Sequence, residues 1–555
     1  MKRPMVAFSR LRRMDPHVLS AIVLAILALV FKLFLLYKRR PYIDADEGYY
    51  MVLARNMLTG KGYTLNGLPN IIFPPFLPGC IAFIYILCRD LQLSLSLISA
   101  ISGSALGIVV FLIARKKVSP ALALLGSLLV SFAYQMNEFL PVLSRYIDTL
   151  YRGSDTLNCC LIFTALYFSM RFLETGKLIK AILAGIFLSL GYLTRPEGII
   201  LFILIVSSIF IARTAVPTKV RVTGALSMII AFSLFATPYV IYLKNVTGAW
   251  TLSGKANAAQ NYRNTLLQVI GKNDWAPFRS EHYSLNPEKM EMNDTYFGYY
   301  KKAPRGNAKS HVGLIKNVLT NLRHYGVVPK TLFPPYFLVL GFFGIIYSIP
   351  NIFKLGNSVD LLLISLVPFS LAVESLSYPI PRHHLFLMPF ACIYAVIGMS
   401  SLLSRLPHAN SRAKRLYGGA ILAICIILVG YEYFRKLDTS YFNLPILNKA
   451  MSADVEVGRL LKAKSPETIM SEQPGFAVRA FSDWQVLPNA GLPQALVFGI
   501  HKKVDLVVIR DQTKPYYRII DLKRSKLSIG PNINYSYRLL EKGQYYEWLE
   551  VRSED

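Results

Sequence analysis

The chain has 555 residues, of which 53% are hydrophobic and only 17% charged. A soluble protein of this length needs more charge on its surfaces and loops, so the balance excludes an ordinary soluble enzyme and points to an integral membrane protein with many spans. The net charge of +29, from 61 basic and 32 acidic residues, would suit nucleic acid in a soluble chain. In a chain this apolar it fits basic loops held in the cytoplasm against anionic lipid headgroups, and no nucleic-acid partner is expected.

Val18 to Tyr37 is long enough to cross a bilayer. Lys2, Arg3, Arg10, Arg12 and Arg13 precede it, which places the amino terminus in the cytoplasm. The following "YKRRPYID" is not a small-residue cleavage site, so the segment reads as an anchor rather than a removed signal.

Next comes "YIDADEGYYMVLARNMLTGKGYT", with Asp44, Asp46 and Glu47 within four residues. Tyr50, Leu53, Ala54, Met57 and Leu58 recur on one helical face, and Gly60 and Gly62 end the pattern. The spacing predicts a helix along the outer membrane surface with its acids at the positive end of the helix dipole. Simple capping explains such acids as well as chemistry does. The run 75–88 is short and begins "PPFLPG"; it reads as a re-entrant or interfacial helix rather than a span.

Further apolar runs lie near 91–114, 121–137, 157–173, 179–194, 198–213, 222–243, 331–350, 358–373, 383–403 and 416–433, making about eleven spans with the first. This count puts Arg115-Lys116-Lys117, Arg171 to Lys180, Arg213 to Arg221, Lys354 and Arg405 to Arg415 inside. It puts the loops 38–90 and 244–330 outside, together with Asp155, Arg195, Arg382 and everything after the last span. The loop 244–330 holds 13 Lys or Arg against 5 Asp or Glu, a length and charge suited to a lid or a substrate groove.

From about 434 the apolar runs stop. "ETIMSEQPGFAVRAFSDWQVLPN" and "KVDLVVIRDQ" read as short buried strands separated by turns, a small α/β domain. The expected organisation is therefore a membrane domain over 1–433 and an extracytoplasmic α/β domain over 434–555. The six cysteines lie in or beside apolar runs, and none falls in the two long polar regions, so no disulfide framework is expected.

Three more polar clusters fall on the outer side. "LYRGSDTLNCC" places Asp155 at the mouth of a span, where it could cap the helix. "YLTRPEGIILF" sets Arg195 and Glu197 in a Pro-Gly turn between two apolar runs, where they could form a structural ion pair. "SYPIPRHHLFLMPF" puts Arg382, His383 and His384 at the entrance of another span, where they could anchor it at the interface. Adjacent His residues point apart on a helix, which argues against metal there. Together the clusters gather carboxylates, which can take a proton from an acceptor hydroxyl, and guanidinium groups, which hold phosphate bidentately. A phosphate leaving group needs cations rather than a general acid.

"DADEGYYMVLARNMLTGKGYT" with its "FPPFLPG", then "YRGSDTL", "LTRPEG" and "PRHHLFLMPF" in this order resemble the GT-C-fold, polyprenyl-phosphate-sugar-dependent glycosyltransferases. Among these are the protein O-mannosyltransferases and lipid A aminoarabinose transferases of the dolichyl-phosphate-mannose-protein mannosyltransferase superfamily. The resemblance covers roughly the first 400 residues, and "FSDWQVLPNAG…VDLVVI" resembles the outer domain of many members.

The resemblance implies a membrane enzyme, multi-pass in the cell membrane, moving a sugar from a polyprenyl-phosphate donor to a protein, lipid or glycan acceptor with inversion. It assigns the catalytic acids to Asp46, Glu47 and Asp155, and the donor phosphate to Arg195, Arg382 and His383. Asp155 would orient the acceptor or, with Asp46, hold a divalent metal ion, which oxygen ligands permit without requiring. No other cofactor is implied. Gly48, Tyr49 and Tyr50 stand where the aminoarabinose transferases carry an Arg and the protein mannosyltransferases a His, and the Trp-Trp-Asp signature of oligosaccharyltransferases is missing. Two other classes compete: a transporter or flippase of lipid-linked or glycan substrates, which would place its ionisable groups near the midplane in repeats, and a non-catalytic scaffold.

Overall fold

The computed structural model describes residues 15–38, 45–132, 154–212, 214–254, 285–286, 291–292, 335–351, 358–370, 385–405, 445–472, 474–488, 492–510, 516–526 and 534–554, and the single positions 420, 423 and 427. In chain order the elements begin with α1 (Pro16–Lys38), α2 (Ala45–Leu58), β1 (Thr64–Leu65), β2 (Leu68–Pro69), α3 (Phe76–Cys88), α4 (Leu91–Ala114) and α5 (Pro120–Phe132). They continue with α6 (Ser154–Thr175), α7 (Leu178–Tyr192), α8 (Gly198–Ile211), α9 (Thr218–Thr247), β3 (Leu285–Asn286), β4 (Glu291–Met292), α10 (Pro335–Ser348), α11 (Ser358–Ile364) and α12 (Leu387–Ser404). The last part holds α13 (Pro445–Lys464), β5 (Thr468–Ser471), α14 (Gly475–Ala480), β6 (Asp483–Val486), α15 (Leu492–His501), β7 (Leu506–Arg510), β8 (Tyr517–Lys526), β9 (Asn534–Lys542) and β10 (Tyr546–Glu554).

Among the described residues five helices are long and apolar enough to cross a bilayer: α1, α4, α6, α9 and α12. The protein is a helical membrane protein. The shorter apolar helices α5, α7 and α8 fall on runs read as spans, but at 13 to 15 residues each is only about 20 Å long. Helix α3, on the run 75–88, has 13 residues and is likewise shorter than the hydrocarbon core. The run 416–433 lies outside the described residues except at 420, 423 and 427.

The chain divides into two compact units: residues 1–40, 96–239 and 309–441, and residues 41–95, 240–308 and 442–555. The first is a helix bundle in which α6 packs on α7, α10 on α12, and α12 on α5. One end of the bundle is tied by three consecutive bases. Arg115 Nη2 meets Asp15 Oδ2 at 2.6 Å, Lys116 Nζ meets Glu174 Oε2 at 2.6 Å, and Lys117 Nζ meets Asp360 Oδ2 at 2.9 Å. The acids come from the start of α1, the last turn of α6 and the first turn of α11, so these three ends share a side. Arg221 closes the carboxyl end of α8 by donating to the carbonyls of Phe210 (3.0 Å) and Ala212 (2.9 Å), where a helix dipole favours a cation.

The second unit holds a six-stranded mixed sheet of order β6-β5-β7-β8-β10-β9. Strand β5 pairs parallel with both β6 and β7, β8 pairs parallel with β10, and the other two pairings are antiparallel. Helices α14 and α15 lie in the crossovers that link β5 to its parallel partners β6 and β7, while strand β9 lies between the parallel pair β8 and β10 in the chain. Met470, Leu496, Phe498, Val507, Ile520 and Val551 form its core. The same unit contains α2 and α3. Helix α2 ends as its glycines predict: Gly60 and Gly62 take φ of 75° and 76°, a conformation that costs a side-chain-bearing residue.

Candidate functional site

In the first unit, the turn between α7 and α8 and the start of α6 meet. Thr194 donates its hydroxyl to the Leu190 carbonyl at 2.8 Å, Arg195 N–H donates to Gly191 at 2.8 Å, and Gly198 N–H donates back to the Arg195 carbonyl at 3.0 Å. These bonds turn the chain within a few residues and leave the Arg195 side chain to reach Asp155, forty positions away.

Asp155 sits in the first turn of α6 and is 6% exposed. Arg195 Nη1 donates to Asp155 Oδ1, and Arg195 Nε lies 3.7 Å from Glu197 Oε2. Three of the charges read from "YRGSDTL" and "LTRPEG" therefore form one cluster. The Arg195–Glu197 pairing was legible from adjacency, whereas the stronger partner, Asp155, lies in another motif. The cluster sits at the opposite end of α6 from Glu174, nineteen residues or about 28 Å along the helix, close to the hydrocarbon thickness of a bilayer. One end of α6 thus carries the basic rim, and the other carries the candidate site.

In the second unit, Asp46 and Glu47 occupy the first turn of α2. Asp46 is half-buried and Glu47 is buried. The expected surface helix with one covered face differs from what is found: residues 47–56 are buried all round, and Met57 is exposed. The reason is a second cover, the segment 474–486. Gly48 lies so close to Pro474 that a Cβ there would collide with Pro474 Cγ. The Tyr49 ring lies 5.5 Å from Trp484 and 5.7 Å from Phe73, and Tyr50 meets Phe73 edge-on at 4.9 Å.

The far end of α2 is gripped too. Arg55 donates through Nε to the Phe481 carbonyl at 2.9 Å and through Nη1 to Asp483 Oδ1, while Lys61 meets Asp483 Oδ2. Asn66, in the Asn-Gly turn of the β1–β2 hairpin, accepts from the Val486 N–H at 3.1 Å. Arg55, Lys61 and Asp483 were not singled out from sequence. Their signal is long-range, 428 positions for Arg55 to Asp483, and no local spacing reveals it.

Arg382, His383 and His384 lie outside the described residues, as does Arg152. Among the described residues no group of three His, Cys, Asp or Glu side chains converges as a metal site. Asp155 Oδ1 accepts from the Arg195 guanidinium.

Residues 73–242 match the protein-family model described as dolichyl-phosphate-mannose-protein mannosyltransferase. This stretch includes Asp155, Arg195 and Glu197. No curated protein is similar to the chain in sequence. Among solved structures, the oligosaccharyltransferase of Archaeoglobus fulgidus in its apo form aligns with a TM-score of 0.53 at 13% identity, over 88% of this chain and 69% of that one. The fold is of the GT-C type.

The same archaeal protein, AglB, aligns in its complex with an inhibitory peptide and a dolichol-phosphate with a TM-score of 0.50 at 14% identity, again over 88% and 69%. ArnT from Cupriavidus metallidurans bound to undecaprenyl phosphate aligns with a TM-score of 0.45 at 14% identity, over 88% of both chains. The resemblance to GT-C-fold transferases carried by the motifs is thus borne out, by the family model over 73–242 and by the fold over most of the chain.

Proposed function

We propose that this protein is a membrane glycosyltransferase that moves a sugar from a polyprenyl-phosphate donor to an acceptor at the extracytoplasmic surface, with inversion at the anomeric carbon. One observation carries the reading: a buried aspartate and a buried arginine from separate motifs are brought together at one end of the helix bundle. The family-model match over that stretch and the GT-C-like fold support it. The dolichol-phosphate complex of the archaeal oligosaccharyltransferase supports a polyprenyl phosphate as the carrier.

In this reading the acceptor oxygen attacks the anomeric carbon as Asp46 takes its proton. The bond from that carbon to the phosphate oxygen breaks, and its electron pair leaves with the polyprenyl phosphate. Arg195, Arg382 and His383 supply the cationic and donor groups that stabilise the growing charge on the phosphate. Asp155 holds the Arg195 guanidinium in a fixed direction, and Glu47 supports Asp46. The basic residues Arg115 to Lys117 face the cytoplasm, with the amino terminus inside, and the positive-inside count along the sequence puts residues 434–555 outside.

The test incubates purified protein with a panel of radiolabelled polyprenyl-phosphate sugars and protein, lipid and glycan acceptors. Label joined to an acceptor, with release of polyprenyl phosphate, is the expected result. Translocation of intact lipid-linked sugar in proteoliposomes with no new glycosidic bond would replace this reading with transport.

A further inference from the structure

The second unit grips α2 at both ends through one short segment, residues 474–486. At the acid-bearing end, Pro474 fills the space beside Gly48, and Trp484 packs against Tyr49. At the other end, a single carboxylate, Asp483, receives both Arg55 and Lys61. Phe481 completes the grip from a strained backbone: its φ of 56° is in the left-handed region, rare for a residue with a side chain. That conformation ends α14, and the Phe481 carbonyl accepts from Arg55 at 2.9 Å. The Phe481 ring lies 5.2 Å from the Arg55 guanidinium and stacks on Tyr85 at 5.0 Å.

From this geometry we infer that Asp483 is a positioning residue for the transfer reaction: it holds Arg55 and Lys61 so that α2 presents Asp46 in one direction. The inference rests on the glycosyltransferase reading. Arg55 and Asp46 are nine residues apart on one rigid helix, a lever of about 13 Å. A tilt of about 5° at the Arg55 end displaces Asp46 by about 1 Å, and a shift of that size can cost on the order of 100-fold in rate. Fixing the far end therefore matters to the chemistry although Asp483 touches neither substrate. Two cations on one carboxylate, with a backbone carbonyl and a ring beside them, restrain the helix end in more than one direction. A single exposed ion pair would leave it free to swing.

The test compares wild type, Asp483→Asn and Asp483→Glu as full-length protein. It reads kcat and donor KM, thermal unfolding, and hydrogen exchange of the α2 amides. The expected result is a kcat at least 10-fold lower for Asp483→Asn with donor KM changed less than twofold, partial recovery in Asp483→Glu, and faster exchange in α2. A wild-type kcat in Asp483→Asn overturns the inference, as does a kcat that falls only in proportion to the folded fraction. Should Asp483→Asn fail to fold, Lys61→Met carries the test: a two- to threefold lower kcat at unchanged donor KM is expected, and an unchanged kcat overturns it. A wild-type protein that transfers no sugar from any donor overturns the glycosyltransferase reading instead. In that case α2 amides that exchange no faster in Asp483→Asn overturn the positioning role on their own.

Discussion

Two arginine–aspartate pairs, Arg195–Asp155 in the helix bundle and Arg55–Asp483 in the second unit, use the same chemistry in different surroundings. The first has side chains 11% and 6% exposed and sits at the mouth of an apolar helix. The second has an arginine that is 9% exposed, but its aspartate is 24% exposed and also receives Lys61, itself half in solvent. A pair that cannot exchange its partner for water is costly to break from one side. A pair with a second cation and water nearby degrades gradually. The first arrangement suits a site whose charges must keep one state, the second a joint that sets geometry.

The largest effect should come from breaking the buried pair. Arg195→Met removes the cation that Asp155 meets and is expected to cost about 3–5 kcal/mol of stability, read by thermal unfolding in detergent. The double variant Asp155→Leu/Arg195→Met should recover most of that stability while transfer stays lost. A double variant no more stable than Arg195→Met would mean that packing, not charge, holds this corner.

The joint should yield less. Arg55→Ala loses the bonds to Asp483, to the Phe481 carbonyl and to Asn56 Oδ1, about 2 kcal/mol in all. Lys61→Ala, at an exposed position, should cost about 0.2–1 kcal/mol. Equal costs for Arg55→Ala and Arg195→Met would erase the distinction between site and joint.

A third aspartate, the buried Asp454, sharpens the contrast from the other side. Asp454 accepts a hydrogen bond from the neutral Tyr517 hydroxyl, and burial holds its carboxyl above the usual aspartate range despite that bond. A carboxyl raised on folding binds its proton more tightly in the folded state. Stability is therefore lost as pH rises from the ordinary aspartate value through the folded one. Asp454→Asn keeps the acceptor oxygen and removes the charge. It should melt at a higher temperature than wild type at pH 7, with the gap closing as pH falls below the ordinary aspartate range. A variant less stable at pH 7 would show that the charge itself is needed.

The two pairs also mark what local sequence conveys. The helix over 45–58, its glycine stop, the strands at 468–471, 483–486 and 506–510, and the longer apolar helices follow from period, turn chemistry and length, all short-range properties. Asp155 and Arg195 each stood out as a charge beside an apolar run on the side that the count of basic loops puts outside. Their meeting did not, because it depends on how α6 packs on α7. The cover on α2 was invisible for the same reason: Tyr49, Tyr50 and Val52 break a one-faced pattern, but nothing nearby says that Pro474 and Trp484 fill the other side.

Asp46→Asn asks whether the acid-bearing helix supplies the base for sugar transfer. Purified wild type and Asp46→Asn are given the same labelled polyprenyl-phosphate sugar and acceptor, with donor binding and folding measured on the same samples. Asp46→Asn is expected to fold normally, to bind donor as wild type does, and to turn over about 100-fold or more slowly. An Asp46→Asn protein that transfers sugar at close to the wild-type rate would contradict it and leave Asp46 as a helix cap.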